Sequence, residues 1–171
     1  MDEIASGLSH VEGQGREARA KMVDVGEKQV TQRTALARSV VRFPAGILGR
    51  VLAGDGPKGP VTEVARVAGI LAAKRTGELI PMCHPLALDH VEVDFEALDT
   101  ERLEIRCRAS CSGRTGVEME AMVGASTAAL TVYDMTKALA KGIALEAVEL
   151  LEKTGGRSGH WRRTEGESGR A

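Results

Sequence analysis

Three features of the 171-residue chain predict an α+β sandwich of the ferredoxin-like kind, an antiparallel sheet with helices packed on one face. Residues 90–98 (HVEVDFEAL) and 103–109 (LEIRCRA) alternate apolar with polar positions, and the acidic turn between them makes a hairpin. Residues 61–74 and 121–141 are rich in Ala, Val and Leu at helical spacing. The resulting order, β-α-α-β-β-α-β, is that of helices gathered on one side of an antiparallel sheet.

Taken in order, residues 1–20 and 155–171 are polar, glycine-containing and unpatterned, and are expected to be mobile tails around one domain over 21–154. Residues 31–43 (TQRTALARSVVRF) fit helix or strand; Thr, Val and Phe near the ends favour strand. Pro44 follows, then a short helix over 45–52 and the turn GDGPKGP. Pro60 suits a first helical position, and Val64, Val67, Ala68 and Leu71 recur as on one face of a helix. Two prolines bound the loop 81–85, and residues 144–151 close the sheet as a last strand.

With only two Phe, one Trp and one Tyr, the core must be built from Ala, Val, Leu and Ile. Such a core suits helices lying close on a sheet, and burial between subunits would add to it. The 23 Lys and Arg nearly balance the 24 Asp and Glu, for a net charge of −1. That argues against a general nucleic-acid or membrane-surface binder and leaves room for a small anionic ligand. No apolar run approaches the ~20 residues that span a bilayer. The first residues have no apolar core of a signal peptide. Cys83, Cys107 and Cys111 lack a framework spacing and read as reduced thiols in the cytoplasm.

Four groups of residues look chemical. Lys58 stands in a glycine- and proline-rich turn ahead of a helix, which suits a phosphate and equally suits a solvated turn. Met82, Cys83 and His84 are held between Pro81 and Pro85; that rigid loop can present His84 to a phosphate or a proton, or be structural. Glu118 and Glu120 flank Met119. If extended, they share one side and can grip the donor edge of a guanine or pterin; otherwise they form a solvent-facing edge or the negative first turn of a helix. Asp134 and Lys137 share a helix face, where the aspartate can orient a lysine whose pKa falls with partial desolvation. An ordinary intrahelical ion pair, worth ~0.2–0.5 kcal/mol, fits the same spacing.

Four strings occur in order: MVDVGEK (22–28), KGPVTEVARVAGILAAKRTGELIPMCHPL (58–86), GRTGVEMEAM (113–122) and ALTVYDMTKA (129–138). Together they resemble the MoaC family of molybdenum cofactor biosynthesis, over about residues 22–159. The resemblance implies a ferredoxin-like fold. It also implies conversion of a cyclic dihydroguanosine triphosphate into cyclic pyranopterin monophosphate, with release of pyrophosphate. It implies hexamers, trimers of dimers, with active sites at the dimer interface. By motif position it makes Asp134 the active-site aspartate and Lys137 the essential lysine. Met82, Cys83 and His84 match one substrate-binding stretch, with Met82 where leucine is common. Met119 and Glu120 match a second, which Glu118 adjoins. Lys58 and Arg33 match pocket cations, and Arg157 stands where a lysine is frequent.

On this reading Lys137, oriented by Asp134, moves protons at the ring and sugar. Lys58, Arg33 and His84 neutralise the phosphates, and Glu118 and Glu120 hold the guanine-derived edge. No cofactor is required, although Mg²⁺ can accompany the triphosphate. Two rival classes are a nucleotide-binding regulator, which would not need the Asp134–Lys137 pair, and a metal-dependent hydrolase built on Cys83 and His84.

Overall fold

The computed structural model describes residues 11–12, 19–54, 58–157 and 159–164. The elements are β1 (Val11–Glu12), β2 (Arg19–Ala20), β3 (Thr31–Arg42), α1 (Ile47–Leu52), α2 (Val61–Lys74), α3 (Thr76–Leu79), β4 (His90–Ala97), β5 (Arg102–Gly113), α4 (Glu118–Thr136), β6 (Ala144–Thr154) and β7 (Trp161–Arg162). Among the described residues strands β1 and β2 pair with each other, and the other five form one antiparallel sheet in the order β4-β5-β3-β6-β7. Its four long strands, connected through α2 and α4, have the ferredoxin-like arrangement expected from the element order. Of the GDGPKGP turn, Asp55, Gly56 and Pro57 lie outside the described residues.

The β4–β5 hairpin closes where the sequence places it. The Asp99 carboxylate accepts from the backbone N–H of Glu101 and of Arg102, both at 2.8 Å. Strands β3 and β5 pair without a shift from Thr31 opposite Gly113 to Arg42 opposite Arg102. Pairing of β3 with β6 shifts register twice, at Leu36/Ala37 and at Val40/Val41. Val41, Val93, Leu103, Ile105 and Cys107 of the sheet pack with Ala125, Ala128, Ala129 and Val132 of α4 in the main core. A smaller cluster of Ala35, Ala37, Ala109, Cys111, Val117 and Ala121 lies where α4 begins.

Helix α2 turns a different face inward from the one its large residues suggest. Its buried positions are Val61, Ala65, Gly69, Ala72 and Ala73, whereas Val64, Val67 and Leu71 are 43–57 % exposed. The reason is proximity to α4: the space between the helices admits only small side chains. A Cβ on Gly69 would stand 2.9 Å from the Gly124 carbonyl oxygen, and one on Gly124 would stand 2.6 Å from Cys107 Sγ. Arg66 fastens the outer edge, donating to the Val93 carbonyl and lying 5.2 Å from the centre of the Phe95 ring. Among the described residues no helix is long and apolar enough to cross a membrane.

Replacing Gly124 by Ala should lower stability by about 1–2 kcal/mol, because overpacking exceeds the ~1 kcal/mol gained in helix propensity. Thermal unfolding measures this; a stabilised variant would show that the helices have room to part.

Candidate active site

An open cavity of about 1000 Å³ lies where β3 starts, β5 ends and α4 begins. Arg33 enters it from β3, Met82, Cys83 and His84 from the proline-bounded loop, and Glu118, Met119 and Glu120 from the first turn of α4. Lys153 comes from β6, and Arg157 from the segment after it. The chain ahead of β3 forms one wall with Val23, Val25, Lys28 and Gln29. Two side chains pin that wall through its backbone. His84 Nε2 lies 2.8 Å from the Val23 carbonyl oxygen, and Arg114 Nε donates to that of Lys28 at 3.1 Å. A carbonyl only accepts, so Nε2 of His84 carries the proton and, in the neutral ring, Nδ1 holds the free lone pair.

Glu118 and Glu120 occupy the first turn of α4, so the extended arrangement that would align them is replaced by the helical one. The positive end of the helix favours carboxylates there. Two residues apart on a helix, they diverge. Glu118 meets Lys153 Nζ at 2.9 Å, whereas Glu120 turns inward and is 4 % exposed. Burial pushes the Glu120 carboxyl up to about 6, against a hydrogen bond from its own backbone, with the Glu118 charge adding to the rise. Burial also raises the Cys83 thiol, and the Glu120 charge raises it further. Cys83 is therefore held as a neutral thiol, which makes it a poor nucleophile.

A second cluster forms at the other end of α4. The Asp134 carboxylate holds Lys137 Nζ at 2.6 Å through one oxygen and Lys58 Nζ at 2.7 Å through the other, and Lys58 also donates to the Asp134 carbonyl at 3.1 Å. Lys137 caps the helix, its N–H bonding to the Tyr133 carbonyl at 2.8 Å. Hydrogen bonds from Lys137 and Lys58, with their charges, hold Asp134 down at about 2. The hydrogen bond to Asp134, with its charge, raises Lys137. This is opposite to the fall that desolvation would cause, because the side chains of Asp134 and Lys137 are both 55 % exposed. In one chain the lysine is a held proton donor and not a ready base.

The cavity thus gathers Arg33, Met82, Cys83, His84, Glu118, Met119, Glu120 and Arg157, and the far cluster gathers Lys58, Asp134 and Lys137. Lys58 stands with the latter pair and apart from Arg33 and His84. At the α-helical rise, Glu118 and Thr136 are about 27 Å apart along α4, so the two groups stand at opposite ends of the helix. Lys28, Arg114 and Lys153 were not singled out from sequence. The first two lie inside the strings MVDVGEK and GRTGVEMEAM, which could have flagged them. Lys153 had no local signal; only the register that sets it opposite Ala35 brings it to the cavity.

Residues 22–156 match the sequence model of the MoaC family. A cyclic pyranopterin monophosphate synthase of Novosphingobium aromaticivorans is 52% identical over 158 residues, which covers 92% of this chain and 98% of that protein.

A carboxyl whose folded pKa lies above its ordinary value of 4.5 contributes stability that is complete below that value and is lost as pH rises through about 6. Glu120→Gln should therefore match the parent near pH 4.5 and exceed it by about 2 kcal/mol at pH 7.5. Denaturant unfolding at the two pH values checks this; an equal difference at both would place the Glu120 carboxylate in water.

Proposed function

Because the chain belongs to the MoaC family, we infer that it converts (8S)-3′,8-cyclo-7,8-dihydroguanosine 5′-triphosphate into cyclic pyranopterin monophosphate and pyrophosphate, in molybdenum cofactor biosynthesis. The observation that carries this reading is the match along residues 22–156, which includes both residue groups apart from Arg157. The reaction is redox-neutral. It rearranges a purine-derived ring and closes a cyclic phosphate by displacing pyrophosphate, so it calls for proton transfer and for charge stabilisation. No redox cofactor enters this scheme; Mg²⁺ travelling with the triphosphate is compatible with it.

The cavity suits recognition. Glu120 accepts from the N–H and amino edge of the guanine-derived ring, Glu118 stays paired with Lys153 at the rim, and Arg33, Arg114, Lys28 and Arg157 supply positive charge for the phosphates. His84 donates or accepts beside them through Nδ1. The lysine cluster suits chemistry. Lys137 is the general acid and, once its proton has gone to the substrate, the base. Asp134 aims it, and Lys58 shares the aspartate and adds charge. Burial of this cluster on assembly would lower the pKa of Lys137 from its raised value in the single chain.

Both groups serve one substrate if the cavity of one copy receives the lysine cluster of another. The length of α4 supports this, since the two ends of a single helix are farther apart than one nucleoside triphosphate reaches. The uncovered apolar residues of the helix layer, Val64, Val67 and Leu71 on α2 and Leu130 and Tyr133 on α4, also support association. The assembly is a hexamer, a trimer of dimers with the sites at the dimer interface. The three unpaired cysteines fit a reducing, cytoplasmic setting.

Lys137→Ala should reduce turnover of the cyclic triphosphate by at least ~10² while substrate binding stays measurable by calorimetry. Product formation by the parent protein should survive EDTA. Near-normal turnover of the variant would remove Lys137 from the chemistry, and loss of all product with EDTA would show that a divalent cation takes part.

A further inference from the structure

The segment after β6 is built around Arg33. From Thr154 the chain turns back through Gly155 and Gly156 and returns as β7, where Trp161 pairs with Lys153 and Arg162 with Glu152. The return is fastened further along: His160 Nε2 lies 2.8 Å from Glu152, and the Arg163 backbone N–H donates to the Leu151 carbonyl at 2.8 Å. Gly155 and Gly156 have φ of +93° and +72°, a left-handed pair that L side chains rarely adopt. Their backbone lies directly against the start of β3. A Cβ on Gly155 would meet the Gln32 carbonyl oxygen at 2.1 Å. One on Gly156 would stand 1.6 Å from Arg33 Nη1 and 2.5 Å from its Cζ.

The other contacts of the guanidinium are carbonyls at the end of β5. Arg33 Nε donates to Gly113 O and Nη2 to Arg114 O, each at 3.4 Å. These bonds are long and leave the group loosely tied on that side. What fixes its position is the glycine backbone on the opposite side. Arg33 is the end of a flexible side chain, so a methyl group at Gly156 would displace the guanidinium and not the sheet.

We propose that Gly156 is a positioning residue: the β6–β7 turn holds the Arg33 guanidinium in the geometry that binds a phosphate group in the cavity. This rests on the reading of the cavity as the phosphate-binding half of the site. It gives the segment around Arg157 a role in recognition, because the same turn sets Gly156 on Arg33 and brings Arg157 to the cavity.

Calorimetric titration of the full-length protein with pyrophosphate tests the proposal without requiring turnover. Gly156→Ala should weaken pyrophosphate binding about tenfold, the size of one lost charge-assisted hydrogen bond. The same substitution in an Arg33→Ala background should cause no further loss. Gly159→Ala is the control: its φ of +64° imposes similar backbone strain, but among the described residues nothing beyond its chain neighbours lies within 4 Å of the added carbon. It should lower the melting temperature as Gly156→Ala does and leave affinity unchanged. Parent-like affinity of Gly156→Ala, equal losses in both backgrounds, or a parent protein that does not bind pyrophosphate would overturn the proposal. Synthase turnover, assayed separately on the parent, tests the functional reading by itself.

Discussion

Helix α4 lies close on the central strands and close on α2 because its inward face is Ala121, Gly124, Ala125, Ala128 and Ala129. Much of the rest follows from that constraint. Small residues let a 19-residue helix run over the sheet, so its first turn reaches the cavity and its last turn carries Asp134. The same closeness excludes Val64, Val67 and Leu71 from the core and leaves them exposed among the described residues. Tight packing within the chain and apolar surface left uncovered are two consequences of one choice of side chains.

The two ends of α4 differ electrostatically because they differ in exposure. At the first turn Glu120 is taken out of water, and the cost of its charge appears as a raised pKa. At the last turn Asp134 stays in water between two lysines, and their hydrogen bonds lower its pKa. The first environment suits a group that accepts from, or exchanges a proton with, a bound ring. The second keeps a lysine protonated until its surroundings change. Closing a partner surface over the cluster would make that change, so assembly and chemistry would be coupled through solvent exclusion.

The parts legible in the sequence were those set by local pattern. Alternation fixed the β4–β5 hairpin, small-residue richness marked α4, and two prolines framed Met82–His84. The inward face of α2 was not legible, because the neighbour that selects Ala and Gly over Val and Leu lies more than fifty positions along the chain. Helical geometry at Glu118 and Glu120 was open for a similar reason: a first turn without a side-chain cap resembles a strand end. The meeting of Lys58 with Asp134 spans 76 positions, and that of Lys153 with Glu118 spans 35. Spacing rules describe neighbours on one element and say nothing of such pairs.

The central claim is that a cavity from one copy and a lysine cluster from another make one site. Mixed assembly of two inactive proteins tests it directly. His84→Ala damages only the cavity and Lys137→Ala only the cluster, so co-expressed mixed dimers would contain one site with both halves intact. The account predicts recovery of about a quarter of parent activity for random pairing in a two-fold dimer. A mixture as inactive as either variant alone would mean that both groups act within one chain, and would contradict it.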